Sequence, residues 1–389
     1  MRQKLHRGRR SVFRKRSPLP RIIGGIVATV AVVALGFFGA KWVNEHPITP
    51  STDTSAPTVS APATSAPTDT TPTNPTTPDT PAAADTVRGF YLPFSALTGN
   101  DLTTTLNAAK QAGFNAVLFD LKDAEGNLYY RFTSAGAVQV NSFTANALTA
   151  EQLKSLFSTI RGAGLIPIPR LYAFQDNLGA KALADARISH KNNSGWVWYD
   201  GNPQSGGKAW LNPYADAAHS YIIGLATELK GAGAAAVMLD GVQFPRQTSS
   251  ASFGSSTNTA LKQDEVLALF TDKVRKALGE DCPLLLTCTA ESALGTATQV
   301  YGGNPLTFGA TMASPVLSYS ADIQESVKKM ILRTQVLEKK PTVTPMLRTD
   351  GLAAAQVTEA VGSIVTAGTN HFILYAADGR YDFAAYNLP

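Results

Sequence analysis

Ala236-Val237-Met238-Leu239-Asp240-Gly241-Val242-Gln243-Phe244-Pro245 is an apolar run closed by a carboxylate and then broken by glycine and proline. Such a run reads as a buried parallel strand that delivers one charged side chain at its carboxyl end. In a (β/α)8 barrel, catalytic groups stand at that end of the strands. The competing reading makes Asp240 a helix cap or a loop anchor. The other strands must decide between the two.

Outward from this stretch, residues Thr86 to Pro389 alternate short apolar runs with amphipathic segments. The pattern predicts strands at Arg88 to Phe94, Ala116 to Leu121, Ile166 to Phe174, Ala235 to Leu239, Pro283 to Ala290, Phe308 to Met312, Thr342 to Arg348 and His371 to Ala376. Helices are predicted at Asp101 to Ala112, Ala150 to Ala163, Asn212 to Gly231, Thr259 to Leu278, Ala321 to Glu338 and Leu352 to Ala367. Two βα units lack a clear helix of normal length. Alternating units in this number favour an α/β fold of the closed (β/α)8 TIM-barrel class over an open doubly wound sheet. No GxGxxG or GxxxxGK[ST] follows a strand, which removes the usual nucleotide-binding reason for an open sheet.

Several predicted strands end as the Asp240 strand does. The second runs Val117-Leu118-Phe119-Asp120-Leu121-Lys122-Asp123, with polar residues at alternate positions, where the pleat points side chains to one face. The third ends Pro169-Arg170-Leu171-Tyr172-Ala173-Phe174-Gln175-Asp176. The fifth runs to Glu291, the seventh to Arg348-Thr349-Asp350 and the eighth to Asp378. Helix N-caps account for some of these, Asp350 and Asp101 above all. A purely structural barrel has no need of an acid or guanidinium after nearly every strand, so the pattern points to a polar, ligand-binding mouth.

The first 86 residues are organised differently. Residues 1–21 carry nine of the chain's 34 Lys and Arg residues and no acid, so the other 25 face all 29 acidic residues and the rest of the chain is −4 net. The pI near 9 therefore reports a short basic tail and implies no nucleic-acid partner. From Ile22 to Ala40 there is no charge, a length sufficient to span a bilayer, and Trp42 follows where an interfacial aromatic would sit. The basic flank predicts a cytoplasmic amino terminus and an extracytoplasmic remainder. A cleaved signal peptide competes with an uncleaved anchor, but Ala34-Leu35-Gly36 is a poor cleavage site and the run is long for a signal. The reading is thus a tail at 1–21, a transmembrane signal anchor at 22–43, a Ser/Thr/Pro-rich disordered stalk at 44–86 and a barrel at 87–389. The stalk cannot bury apolar surface, and its prolines keep it extended.

The FDLKDAEG segment (Asp120, Lys122, Asp123, Gly126), PRLYAFQD (Arg170, Phe174, Asp176), WLNPY from Trp210 to Tyr214 and LDGVQFP around Asp240 together resemble a glycoside hydrolase family. Its members are bacterial cell-surface or secreted proteins related to the α-amylase-type TIM barrels. The resemblance runs best from Val87 to Pro245. Beyond that, Ala290-Glu291, Ser314-Pro315 and Leu347-Arg348 match loosely. The chain departs from the family pattern at Gln243, where Arg is usual, and at Glu291, where Asp is more common. The resemblance implies hydrolysis of a polysaccharide, with Asp240 as nucleophile or base, Glu291 as acid and Asp120 or Asp350 as supporting carboxylate. It also implies substrate contacts from Lys122, Asp123, Arg170, Asp176, Gln243, Arg348 and Asp350. Residue chemistry agrees, because glycoside cleavage needs a proton donor and a second carboxylate, about 5 to 5.5 Å apart for retention and about 6.5 to 9.5 Å for inversion.

Aromatics supply the other half of a sugar site. Trp196, Trp198, Tyr199 and Trp210 lie in the segment from Asn177 to Leu211, too long for a routine connection. Trp198 and Trp210 are candidate stacking platforms; the alternative is that they pack this loop onto the barrel. The five histidines show no HExxH or HxH spacing and no GxSxG occurs, so neither a metal site, a cofactor nor a serine nucleophile is indicated. Cys282 and Cys288 lie about 20 Å apart if their strand is extended, beyond disulfide reach, and are expected buried and unpaired. Three classes remain: a glycoside hydrolase, an inactive carbohydrate-binding protein, and a structural protein of the cell envelope.

Overall fold

The structure is a computed structural model and describes residues 86–389. The predicted tail, anchor and stalk lie outside these residues, apart from Thr86. Among the described residues no helix is long and apolar enough to cross a membrane.

Eight parallel strands close into a barrel. They are β1 (Arg88–Tyr91), β2 (Ala116–Lys122), β3 (Ile166–Tyr172), β4 (Val237–Asp240), β5 (Leu284–Thr289), β6 (Met312–Leu317), β7 (Met346–Arg348) and β8 (Phe372–Tyr375). Each pairs with its successor, and β1 pairs with both β2 and β8, with Phe90 opposite Val117 on one side and Leu374 on the other. Closure leaves the barrel itself without a free edge. Around it lie α1 (Leu102–Gln111), α2 (Ala150–Gly162), α3 (Asp216–Gly231), α4 (Gln263–Leu278), the short α5 (Ala290–Leu294), α6 (Ile323–Gln335) and α7 (Ala354–Thr366).

Alternation along the strands divides the buried residues into two layers. Tyr91, Leu118, Ile168, Met238, Leu285, Met312, Met346 and Ile373 fill the barrel interior, as expected of an eight-stranded barrel too narrow to hold a channel. Phe90, Phe119, Leu239, Leu286 and Leu374 face outward and pack against the helices. There α2 presents Leu153, Leu156, Phe157 and Ile160, one stripe at helical spacing. Thr149 starts this helix with a reciprocal cap: its Oγ1 accepts from Gln152 N at 3.3 Å, and its own N–H donates to Gln152 Oε1 at 2.9 Å.

The sixth strand differs from the expected Phe308 to Met312. Phe308 instead follows the 3-10 turn Pro305–Thr307, and Gly309 then turns the chain at φ 82°, a conformation suited to glycine. The true strand runs Met312–Leu317 and contains Pro315. Proline is tolerated because the neighbouring chain is interrupted at the same level: Thr342–Val343 pairs with Met312 and Ala313, pairing resumes at Met346 with Val316, and Thr344-Pro345 lies between. The missing N–H of Pro315 thus falls where no ladder bond is called for.

Candidate active site at the barrel mouth

Arg170 organises the carboxyl end of the barrel. Its side chain is 3% exposed, and its inward direction follows from the alternation Ile166, Ile168, Arg170. Nε donates to Asp120 Oδ1 at 2.6 Å and Nη2 to Asp120 Oδ2 at 3.0 Å, a bidentate pair, while Nη1 reaches Asp240 Oδ2 at 3.2 Å. Three tyrosine rings surround the guanidinium, with centroids 5.2 Å (Tyr91), 5.0 Å (Tyr172) and 5.3 Å (Tyr375) from Cζ, a cation–π cage. Burial by itself would lower the Arg170 pKa. The charge of Asp120 and its hydrogen bonds outweigh burial and hold it well above the ordinary value.

The two carboxylates differ in what remains open to solvent. Asp120 is chelated by Arg170 and also accepts from Tyr91 Oη at 2.9 Å, leaving its side chain 13% exposed. Asp240 is 23% exposed. Its Oδ1 accepts from Gly241 N at 2.7 Å, and Gly241 makes this turn at φ 62°. Burial, then the charge of Asp120, raises the Tyr91 pKa; burial, then the charge of Asp240, does the same for Tyr172. Both phenols therefore stay protonated, and Tyr91 donates to Asp120. Asp240 is an oriented acceptor at the rim of a buried cationic centre, suited to attack a carbon or take a proton.

The structure separates the remaining candidates into two groups. Simple alternation puts Lys122 on the face of Asp120, yet the β2–β3 register slips between them: Asp120 lies opposite Arg170, and Lys122 opposite Leu171. This bulge turns Lys122 out of the interior. Lys122 is fully buried, 2.9 Å from Asp176 Oδ2 and 2.5 Å from the Tyr172 carbonyl, with the Tyr221 ring 5.9 Å away. Asp176 is buried too, and its Oδ1 accepts from Gly179 N at 2.6 Å, capping the turn Asn177–Ala182. Asp123 accepts backbone N–H groups from Glu125, Gly126 and Asn127. A Cβ on Gly126 would stand 2.0 Å from Asp176 Oδ1, and its φ is 99°. Lys122, Asp123, Gly126 and Asp176 thus build the loop framework beneath the mouth, with Lys122 and Asp176 offering no accessible surface.

Trp198 and Trp210 are likewise buried, their Nε1 groups donating to Ser250 Oγ at 3.0 Å and Asp200 Oδ2 at 2.9 Å. They are packing residues of the β3–β4 segment and present no open stacking face. Asp350 does not cap α7. Its Oδ1 accepts from Ala377 N at 2.7 Å and ties the β7 and β8 loops together, with exposed Arg348 3.7 Å away. Asp101 occupies its cap position without a side-chain bond. Gln243 is half-buried in the loop after β4. Glu291 is exposed in the first turn of α5, and its carboxylate makes no hydrogen bond or ion pair among the described residues. Because Leu239 pairs with Leu286, Asp240 lies level with Thr287, and Glu291 follows four residues later. Tyr91, Tyr172 and Tyr375 were not foreseen; their signal was an aromatic at the inward position of a strand end.

A family model described as Putative glycosyl hydrolase domain matches residues 89–285. The chain belongs to this family. Its span carries Asp120, Arg170 and Asp240, and stops before Glu291. No curated protein matches. Among solved structures, a hypothetical protein from Ruminiclostridium thermocellum is similar at 19% identity and TM-score 0.43, over 51% of this chain and 96% of the other. An α-galactosidase from Thermus thermophilus is similar at 11% identity and TM-score 0.45, over 75% of this chain and 58% of the other. The glycoside hydrolase domain of PelA from Pseudomonas aeruginosa shows 12% identity and TM-score 0.43, over 77% and 97%.

Proposed function

We propose that the barrel mouth of this glycosyl-hydrolase-family protein cleaves a glycosidic bond in a polysaccharide outside the cell membrane. The observation that carries the reading is the Arg170 clamp, which buries Asp120 in a bidentate pair and leaves Asp240 oriented with the more open edge. In this reading Asp240 is nucleophile or base, and Asp120 holds Arg170 in place. Glu291, unengaged and exposed on the next strand's helix, is the proton donor. Residues 22–43 anchor the chain with its amino terminus cytoplasmic, and 44–86 carry the barrel away from the membrane. The position of Glu291 beyond the level of Asp240 favours a second reading, a carbohydrate-binding protein without turnover. Release of reducing ends from a polysaccharide panel separates them: Asp240→Asn abolishes release and leaves binding measurable if the first holds, whereas wild type binds and releases nothing if the second does.

A further inference from the structure

The tyrosine cage around Arg170 holds one phenol beside Asp240 whose hydroxyl the cage does not employ. Tyr91 spends its own on Asp120. Tyr375 packs on Tyr91 at 4.6 Å between centroids, and its strand position is level with Arg348 rather than Asp240. Tyr172 is half-buried, and its Oη makes no hydrogen bond among the described residues. A cation–π contact with Arg170 requires only the ring, so phenylalanine would serve the cage equally well at this position. The hydroxyl calls for a separate explanation.

Several contacts fix this phenol next to Asp240. The register of β3 against β4 is unbroken, from Arg170 opposite Met238 to Tyr172 opposite Asp240. Met238 belongs to the interior layer, and side chains two residues further along a strand share its face, so Tyr172 and Asp240 stand together on the inner side of adjacent strands. The end of β3 is pinned from two directions: Ala173 N donates to the Asp240 carbonyl at 2.7 Å, and the Tyr172 carbonyl accepts from Lys122 Nζ at 2.5 Å. Gly241, whose N–H orients Asp240 Oδ1, lies against the phenol ring, since a Cβ there would stand 3.5 Å from Tyr172 Cδ1. After burial, the charge of Asp240 is the largest influence keeping the phenol protonated. The arrangement is a fixed O–H donor beside the more open carboxylate of the mouth.

We infer that Tyr172 is a substrate-binding residue of the mouth, its Oη–H donating to an oxygen of the sugar residue seated at Asp240. The inference rests on the glycan reading of the mouth proposed above, but not on turnover. The test is isothermal titration of the full-length chain in mild detergent with cellohexaose, chitohexaose and mannohexaose, in an Asp240→Asn background to prevent turnover. At least one of the three should bind, and adding Tyr172→Phe should weaken it about five- to tenfold, the value of one neutral hydrogen bond. The melting temperature should not change, because the hydroxyl has no partner among the described residues to lose. Equal affinity with and without the hydroxyl overturns the inference and leaves the glycan reading standing. A weakened affinity accompanied by a lowered melting temperature assigns the hydroxyl to the fold and also overturns it. Binding of none of the three removes the glycan reading and the inference together.

Discussion

Arg170 reaches the mouth with its partners fixed on both sides, and much of the site's behaviour follows from that one side chain. Arg170→Met leaves two carboxylates facing each other without their cation. Removing one member of a buried ion pair costs about 3–5 kcal/mol, so urea titration should show a loss of this size together with loss of turnover; an unchanged midpoint would contradict the clamp. Lys122→Met should cost a similar amount by stranding Asp176, whose neighbourhood is fully buried. Asp120, Arg170 and Asp240 were legible in the sequence because each closes an apolar strand with a charge. The burial of Lys122 was not legible, since a one-residue bulge reverses the face that alternation assigns, and nothing in the composition of FDLKD marks the bulge.

Strands β5 and β6 show what local pattern reveals about an element and what it hides. The chain around β5 places Cys282 and Cys288 in buried positions as free thiols. Burial, reinforced by the charge of Asp240, pushes the Cys288 thiol up to about 12, and burial pushes Cys282 up to about 11. Unfolded thiols titrate near 8.5. Below that pH both states keep their protons and the contribution to stability is complete. Between about 8.5 and 11 to 12, the unfolded chain loses protons first, so stability falls as pH rises, by up to about 1.4 kcal/mol per pH unit for each thiol. Denaturation midpoints at pH 7.5 and 10 should diverge, and Cys288→Ala should reduce the divergence; an equal slope in both proteins would refute the assignment. For β6, the apolar Phe308 and Ala310 imitate a strand, whereas Gly309 and the interrupted neighbour, a non-local partner, move it to Met312–Leu317. The six long helices lay close to expectation because each carries an apolar stripe long enough to read.

At the scale of the whole molecule, closure of eight strands follows from alternating βα units, and the polar end of the barrel follows from where the strands put their charges. The aromatic loop was legible by its length; which tryptophan stays exposed depends on contacts with Ser250 and Asp200 that sequence spacing does not encode. A barrel complete from β1 to β8 predicts that protease trimming of residues before Thr86 leaves the melting temperature unchanged. A drop of several degrees would show that the amino-terminal segment contributes to the folded unit. The most direct test of the account is reducing-end release from a panel of neutral polysaccharides by wild type and Asp240→Asn, with binding measured in parallel. Wild type should release reducing ends from at least one glycan, and Asp240→Asn should release at least about a thousandfold less while still binding that glycan. Release undiminished in Asp240→Asn would contradict it.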